Sequence, residues 1–562
     1  MTLLGRILDF FARDRERVFA RVWDRHASAA VITYGDLVLR AAAIARRLTA
    51  AGVRDGEVVV VILEAGAPLL SAWLAPLLAG AIPSLFAWPT EKLSRDYYER
   101  SVSALLDLCG ATALVTSRDL LDTLRPLTAD AGRLRALVTV DDIAPAVALP
   151  PPRREWLEDG DRIAILQHSS GSTGLQKGVA LSSRAVINQI ETYAQALRVT
   201  ASDRVANWMP LYHDAGLIAG FVQPLISGLP LSFLSPMDWV RDPVLLLRAI
   251  SADRATLCWL PNFAYNFMST RIPTRRLEGI DLSSMRAFVN VAEPVRVASH
   301  EQFRTRFEPY GLAPLALTTS YAAAENTFAI TQSDPERPVS VDVIDRLRLA
   351  RDGRALPAPP GAPASALLSS GALIPGTTLR VLDADGRELG ERDMGELAIR
   401  SGCLFSEYFH RPDLTAHAFH EGWYLTGDYG YVADGEVYVT GRKKDLIIVG
   451  GNNIYPQDLE FIADGVPGVH PGRTVAFGLE NAEMGTEDVV IVVEAEAGAD
   501  PEQIQEAVRA AIAQQSDCIA RTVYVVPPMW LIKTSSGKIS RTRCKAKFLE
   551  ETEAGTGSQD IS

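Results

Sequence analysis

The sequence predicts an α/β protein in two parts: a large N-terminal region of several subdomains built on mostly parallel sheets, and a small α/β unit at the C-terminal end. Three observations predict it. The 562 residues exceed what one hydrophobic core normally serves. Short runs rich in Val and Ile alternate with longer amphipathic stretches, the pattern of parallel strands joined by helices. A strand–helix–strand pattern then restarts after Gly441-Arg442-Lys443-Lys444.

Residues 33–51, dense in Ala, Leu and Arg, predict a helix. Residues 57–63 (EVVVVIL), 111–116, 135–140 and 162–166 predict buried strands. The most apolar stretch, 65–87, is broken by Gly66, Pro68, Gly80 and Pro83, so it predicts a buried helix and turn rather than a membrane span. Ser182 and Ser183 supply caps for a helix running toward Leu197. Residues 333–363, rich in Pro, Asp and Arg, read as an irregular connection or a surface excursion, not a domain boundary. Beyond residue 444, strands over 489–493 and 522–526 flank a helix over 502–515. The divisions expected are 1–443 and 444–562.

Composition narrows the function. A formal net charge of -12 argues against a nucleic-acid or anionic-membrane surface, which needs clustered Lys and Arg. Five scattered cysteines with no CxxC pair point away from a disulfide framework or zinc site and toward a reducing cytoplasm.

The sharpest motif is Ser169-Ser170-Gly171-Ser172-Thr173-Gly174-Leu175-Gln176-Lys177-Gly178, between a predicted strand and a helix. Small residues let backbone N–H groups and hydroxyls approach phosphate oxygens, and Lys177 adds charge. Gly178 follows Lys177 where a P-loop NTPase has Ser or Thr, so that class is excluded. Further motifs come after it: Trp208-Met209-Pro210-Leu211-Tyr212-His213-Asp214, Asn290-Val291-Ala292-Glu293-Pro294 and Tyr321-Ala322-Ala323-Ala324-Glu325. Thr426-Gly427-Asp428, Gly441-Arg442-Lys443-Lys444-Asp445 and Thr534-Ser535-Ser536-Gly537-Lys538 complete the series.

In this order the motifs resemble the adenylate-forming superfamily of acyl-CoA synthetases, adenylation domains and luciferases, over roughly residues 30–548. The resemblance implies ATP, Mg²⁺ and an acyl-adenylate, followed by acyl transfer to a thiol such as coenzyme A. It gives Ser169, Ser170, Gly171, Ser172, Thr173, Gly174 and Lys177 to the phosphates, and Glu325 to Mg²⁺. Ala292, Glu293, Tyr321 and Ala322 line the nucleotide, Asp428 takes the ribose hydroxyls and Arg442 lies near ribose and phosphate. Lys538 meets the reacting carboxylate and α-phosphate. His213 borders or gates the acyl pocket, and Trp208, Tyr212, Phe263, Tyr265 and Phe267 are candidates to line it. Lys444 matches the hinge of a mobile C-terminal domain. One pose makes the adenylate; in the other Lys538 leaves and Gly450-Gly451 border the pantetheine tunnel.

Several phrases resemble the fatty acyl-AMP ligase branch, including Tyr212-His213-Asp214-Ala215-Gly216 and Tyr455-Pro456-Gln457-Asp458-Leu459-Glu460. That branch carries an insertion that restrains the small domain and disfavours CoA. Little room exists for one between Tyr408 and Trp423, which favours a CoA ligase acting on a large apolar acid, such as a fatty, polyketide or terpenoid-like acid. Gln176, Val291 and Ala322 depart from the family's usual Pro, Gly and Gly. A β-branched Val291 would forbid a positive φ beside adenine. The alternative is therefore a ligase that only transfers a pre-formed adenylate supplied by a separate adenylating enzyme. Loading of an acyl carrier protein and a catalytically silent adenylate-binding protein are the remaining alternatives.

Overall fold

The computed structural model describes residues 1–89, 95–129, 134–169, 177–449, 452–481, 486–516, 518–533 and 538–556. Two seven-stranded sheets dominate the N-terminal region. In the first, Leu317–Thr319, Ala287–Asn290, Leu257–Leu260, Val205–Asn207, Leu231–Leu234 and Val18–Trp23 run parallel; Ala29–Thr33 closes the edge antiparallel. In the second, Ile163–Ser169, Ile82–Leu85, Val58–Val61, Ala113–Thr116 and Ala136–Thr139 run parallel; Lys177–Ser182 pairs antiparallel with Ile163–Ser169, and Glu407–Tyr408 pairs antiparallel with Lys177–Ser182 at the edge. Val58 to Val61 are all buried, which is why that run reads as continuously apolar rather than alternating. A third, antiparallel sheet holds Thr377–Leu382, Gly395–Ser401, Phe419–His420, Trp423–Ala433 and Glu436–Arg442.

The predicted helices form, one with its predicted cap and one with a capping box found in the structure. Tyr34–Ala50 starts at Thr33, whose hydroxyl accepts from the Asp36 N–H while the Asp36 carboxylate takes the Thr33 N–H. Ser183–Ala196 starts at Ser182, which accepts from the Ala185 N–H. Residues 65–87 become the buried helix Ala67–Leu78 and the strand Ile82–Leu85. Among the described residues no helix is long and apolar enough to cross a membrane. The five cysteines are buried, and among the described residues no disulfide joins them.

Beyond Asp445 the chain builds a separate core. Val469–Asn481, Thr486–Ala495 and Ala520–Val526 form a three-stranded sheet. Ile447, Leu459, Ile491, Val493, Val508 and Ile512 are buried on one of its faces; Phe477, Val492, Trp530 and Phe548 are buried on the other.

One expectation holds only in part. Residues 333–363 form a surface excursion that is regular over its middle: Val341–Asp345 pairs antiparallel with Ala364–Leu368, and the helix Arg346–Asp352 lies between them. Asp345 caps that helix by accepting from the Arg348 N–H, and Gly353 ends it at φ 63°. The alternation Val341-Asp342-Val343-Ile344 carries the strand signal, which the Pro and Arg content obscures. This excursion reaches the C-terminal unit, where the Arg346 guanidinium donates to the Gln515 carbonyl. The stretch between Tyr408 and Trp423 is short, as the sequence predicts, and holds the helix Pro412–His417. A tie to the C-terminal unit is present further upstream, outside that stretch.

Asp464, at the end of the helix Pro456–Asp464, accepts from the Thr474 hydroxyl at 2.6 Å, yet burial raises its pKa to about 6. An unfolded Asp ionises near 4. From about pH 4 to about pH 6 the folded chain therefore holds a proton that the unfolded chain has released. Stability from this group is full below that window and lost as pH rises through it. Asp464→Asn should stabilise the C-terminal unit by about 1–2 kcal/mol above pH 6 and by nothing near pH 4, because partial contact with water trims the full effect. Denaturant unfolding of both proteins at pH 4 and 7.5 checks this.

Candidate active site

Parallel strands deliver the residues after them to one end of a sheet, and ligands of open α/β sheets bind at that end. In the first sheet, Asn207 is followed by Trp208 to His213, Asn290 by Val291 to Glu293, and Thr319 by Tyr321 and Glu325. The second sheet brings Ser169 and Lys177 on adjacent antiparallel strands, paired in register. The third brings Asp428 opposite Arg442.

These side chains meet in one connected cluster. The Tyr321 hydroxyl donates to Asp428 Oδ2 at 2.6 Å, and Arg442 Nε lies 2.8 Å from Asp428 Oδ1. Asp428 is buried, so its charge is held by those two partners, and it raises the Arg442 guanidinium above its usual range. Glu325 Oε1 accepts from the Tyr408 hydroxyl at 2.9 Å, and Lys177 Nζ sits 4.4 Å from the centre of the same Tyr408 ring. Lys538 Nζ donates to the Ala292 carbonyl at 2.6 Å. Burial pushes the Lys538 ammonium below its usual value, against the pull of Glu293 and Asp214. Desolvation also depresses Lys444, with the Arg442 and Lys177 charges adding to it.

Four cations, Lys177, Arg442, Lys444 and Lys538, therefore gather with four carboxylates, Asp214, Glu293, Glu325 and Asp428. Two of them are disfavoured in their charged forms where they stand. Such a set fits a polyanion such as a triphosphate, whose charge would relieve both. Among the described residues no three metal-ligating side chains gather. A Mg²⁺ ion here would be shared between Glu325 and phosphate oxygens, its usual mode of binding.

His213 pairs with Asp214, Nδ1 to Oδ1 at 2.6 Å, and both are largely buried. Burial opposes the Asp214 charge, but His213, the Ala215 N–H and Lys538 outweigh it and hold the carboxyl below its usual range. The aromatic candidates divide. Trp208 stacks on Trp239 at 3.6 Å, with Phe263 edge-on to both and Phe267 against Trp239. Tyr265 is excluded from that wall: it is fully buried with Phe303 and donates to the Phe288 carbonyl. One helix, Asn262–Arg271, carries Phe263, Tyr265 and Phe267, and Tyr265 turns to another face of it.

Two of the three departures meet no penalty. Val291 continues its strand, donates to the Leu260 carbonyl at 3.0 Å and is fully buried in the core. Its φ is not positive; the left-handed residue is Ala292, at φ 73°. That conformation costs an alanine about 1 kcal/mol. The same residue's carbonyl receives Lys538. Ala322 bridges to Ala329, also without a positive φ. Glu293 takes the Phe263 N–H at 2.9 Å. The expected residues Ser170, Gly171, Ser172, Thr173, Gly174, Gln176, Gly450 and Gly451 lie outside the described residues, as does the side chain of Ser169.

Glu325 is followed by a strained turn. Thr327 has φ 63° and ψ -47°, and the Phe328 N–H reaches the Asn326 carbonyl at 2.6 Å, which makes a γ-turn. A β-branched residue adopts this only when its surroundings impose it. Here the Thr327 hydroxyl donates to the Cys403 carbonyl, and the Phe405 N–H to the Glu325 carbonyl. Tyr408 is a site residue that sequence reasoning misses, although its Tyr-Phe-His-Arg-Pro motif is visible.

The model for the family described as AMP-binding enzyme matches residues 12–409. The chain belongs to that family. A Caulobacter vibrioides protein with the provisional name acyl-CoA synthetase is 34% identical, covering 93% of this chain and 91% of its own. The long-chain-fatty-acid–AMP ligase FadD32 of Mycolicibacterium smegmatis is 29% identical, covering 92% and 89%. A solved structure from work on fatty acyl-adenylate ligases of E. coli and L. pneumophila superposes with a TM-score of 0.89 at 29% identity, covering 99% and 98%.

Because Val291 is a core residue, Val291→Gly should cost about 2–4 kcal/mol of stability through lost burial and added backbone freedom. It should leave adenylate formation at 25 °C within about threefold, since the Val291 side chain is buried in the core. Thermal unfolding and pyrophosphate release on one preparation check both halves.

Proposed function

We propose that this chain joins a large apolar carboxylic acid to AMP and then hands the acyl group to a thiol. The observation that supports it most is the gathering of Lys177, Arg442, Lys444 and Lys538 with Glu325 and Asp428 at the carboxyl ends of parallel strands. In this reading Lys538 bridges the incoming carboxylate and the α-phosphate, neutralising charge as the oxygen attacks phosphorus and pyrophosphate departs. Arg442 and Lys177 hold the remaining phosphate oxygens, Asp428 accepts from the ribose hydroxyls, and Glu325 shares the Mg²⁺. His213, kept in place by Asp214, faces the acyl end beside the Trp208 wall. Lys444 is the hinge between residues 1–443 and 444–562.

The acceptor we favour is the phosphopantetheine thiol of an acyl carrier protein. Support comes from the excursion over residues 341–368, whose Arg346 ties it to the C-terminal unit, a restraint of the kind that disfavours free CoA. CoA itself is the second reading, favoured by the short stretch between Tyr408 and Trp423 and by the name of the Caulobacter relative. A ligase that only transfers a supplied adenylate loses its main argument, because Val291 and Ala322 fit without strain.

A paired assay tests this on one purified sample with a panel of apolar acids. One arm supplies acid, ATP and Mg²⁺ and follows pyrophosphate; the other supplies synthetic acyl-adenylate with either CoA or a phosphopantetheinylated carrier. Adenylate formation with transfer to the carrier is expected. Lys538→Ala should lower the first arm by about 10²–10³-fold and leave the second largely intact. Pyrophosphate release no faster than without enzyme, across the panel, would sink the proposal.

A further inference from the structure

The segment 290–296 touches the C-terminal unit twice. At Ala292 its carbonyl accepts from Lys538. Four residues on, Arg296 precedes the helix Val297–Phe307 and reaches across to the helix Pro456–Asp464. Its Nη1 donates to Asp458 Oδ1 at 2.9 Å and its Nη2 to the Gln457 carbonyl at 3.0 Å. The guanidinium also lies 5.2 Å from the centre of the Phe461 ring. Gln457 in turn donates from its side chain to the Thr440 carbonyl, just ahead of Arg442.

The base of Arg296 is itself fixed. Its N–H donates to Asn262 Oδ1 at 3.2 Å, and the same oxygen accepts from Asn290 Nδ2 at 3.0 Å. Asn262 and Asn290 are both buried. The Arg296 side chain is 22% exposed, against 54% for Asp458. An exposed ion pair alone would contribute little. A planar guanidinium that takes a carboxylate, a carbonyl and a ring face together fixes the orientation of a helix, which a lysine on a flexible stem does not.

We propose that Arg296 is a positioning residue that latches the C-terminal unit in the pose bringing Lys538 to Ala292. The inference rests on the two-pose reading above. Asp458, Gln457 and Phe461 all lie beyond Lys444, so a swing about that hinge breaks these three guanidinium contacts together with the Lys538 contact. The Lys443 ammonium, 2.7 Å from Glu396, precedes the hinge and keeps its partner through the swing. Arg296 therefore weights the adenylate-forming pose against the transfer pose while touching neither substrate.

The test uses the full chain with Arg296→Ala, Arg296→Lys and Asp458→Ala. In Arg296→Ala the kcat for pyrophosphate release should fall about tenfold, with KM for ATP and acid within about twofold. Transfer from synthetic acyl-adenylate should hold or rise, Arg296→Lys should fall between, and Asp458→Ala should add little to Arg296→Ala. Equal losses in both half-reactions, or no loss in the first, would overturn the latch. If Arg296→Ala unfolds at a lower temperature than the parent, Asp458→Ala, altered at the exposed partner, carries the same comparison. A second readout needs no turnover: tryptic cleavage within Arg442-Lys443-Lys444 should quicken when the latch is removed. Faster cleavage in a chain that makes no adenylate keeps the latch and refutes the proposed activity; unchanged cleavage refutes the latch.

Discussion

A parallel strand can present its C-terminal neighbours at one end of its sheet only, and this constraint organises the whole molecule. The first sheet sends His213, Glu293, Tyr321 and Glu325 to the same rim, though the first and last stand more than a hundred residues apart in sequence. The third sheet adds Asp428 and Arg442 from two paired strands, and the C-terminal unit brings Lys538 last. No single segment builds the site; strand direction does. Burial of the strands then makes that direction hard to alter, since slipping or reversing one would expose a run such as Val58–Val61.

Electrostatics at the rim arise from the crowding. Tyr321 and Arg442 satisfy Asp428, while Tyr408 serves both Glu325 and Lys177. Lys538 and Lys444 are depressed where they stand. A cleft that holds two ammonium groups below their usual range is prepared for a polyanion, and much of the work of organising charge is complete before any substrate arrives.

Legibility from sequence varies with the kind of signal. Strands buried on both faces and helices with side-chain caps are readable because their cause is local: Thr33 with Asp36, or Ser182 ahead of Ala185. The motif residues are readable through the resemblance, and their gathering is not visible in any one of them. Four things stay hidden. The strand at Val341 is masked by the Pro and Arg around it. The side on which Tyr265 falls depends on helix phase against a partner sheet. The left-handed residue is Ala292 rather than Val291, a matter of one peptide unit that composition does not encode. Tyr408 escapes notice as well, because its role comes from two neighbours, Glu325 and Lys177, that are remote in sequence.

The γ-turn at Thr327 has a consequence for anyone reshaping this protein. Backbone of that kind costs of order 1–3 kcal/mol, and the cost is borne by the whole fold. Heat resistance and catalytic order are therefore in competition at this one residue. A laboratory selection for thermal survival would reward glycine here, because glycine relaxes the turn. The same relaxation would loosen the neighbouring Glu325 carboxylate and its hold on the Tyr408 hydroxyl, so the hardiest descendants of such a selection would also be the least ordered at this rim.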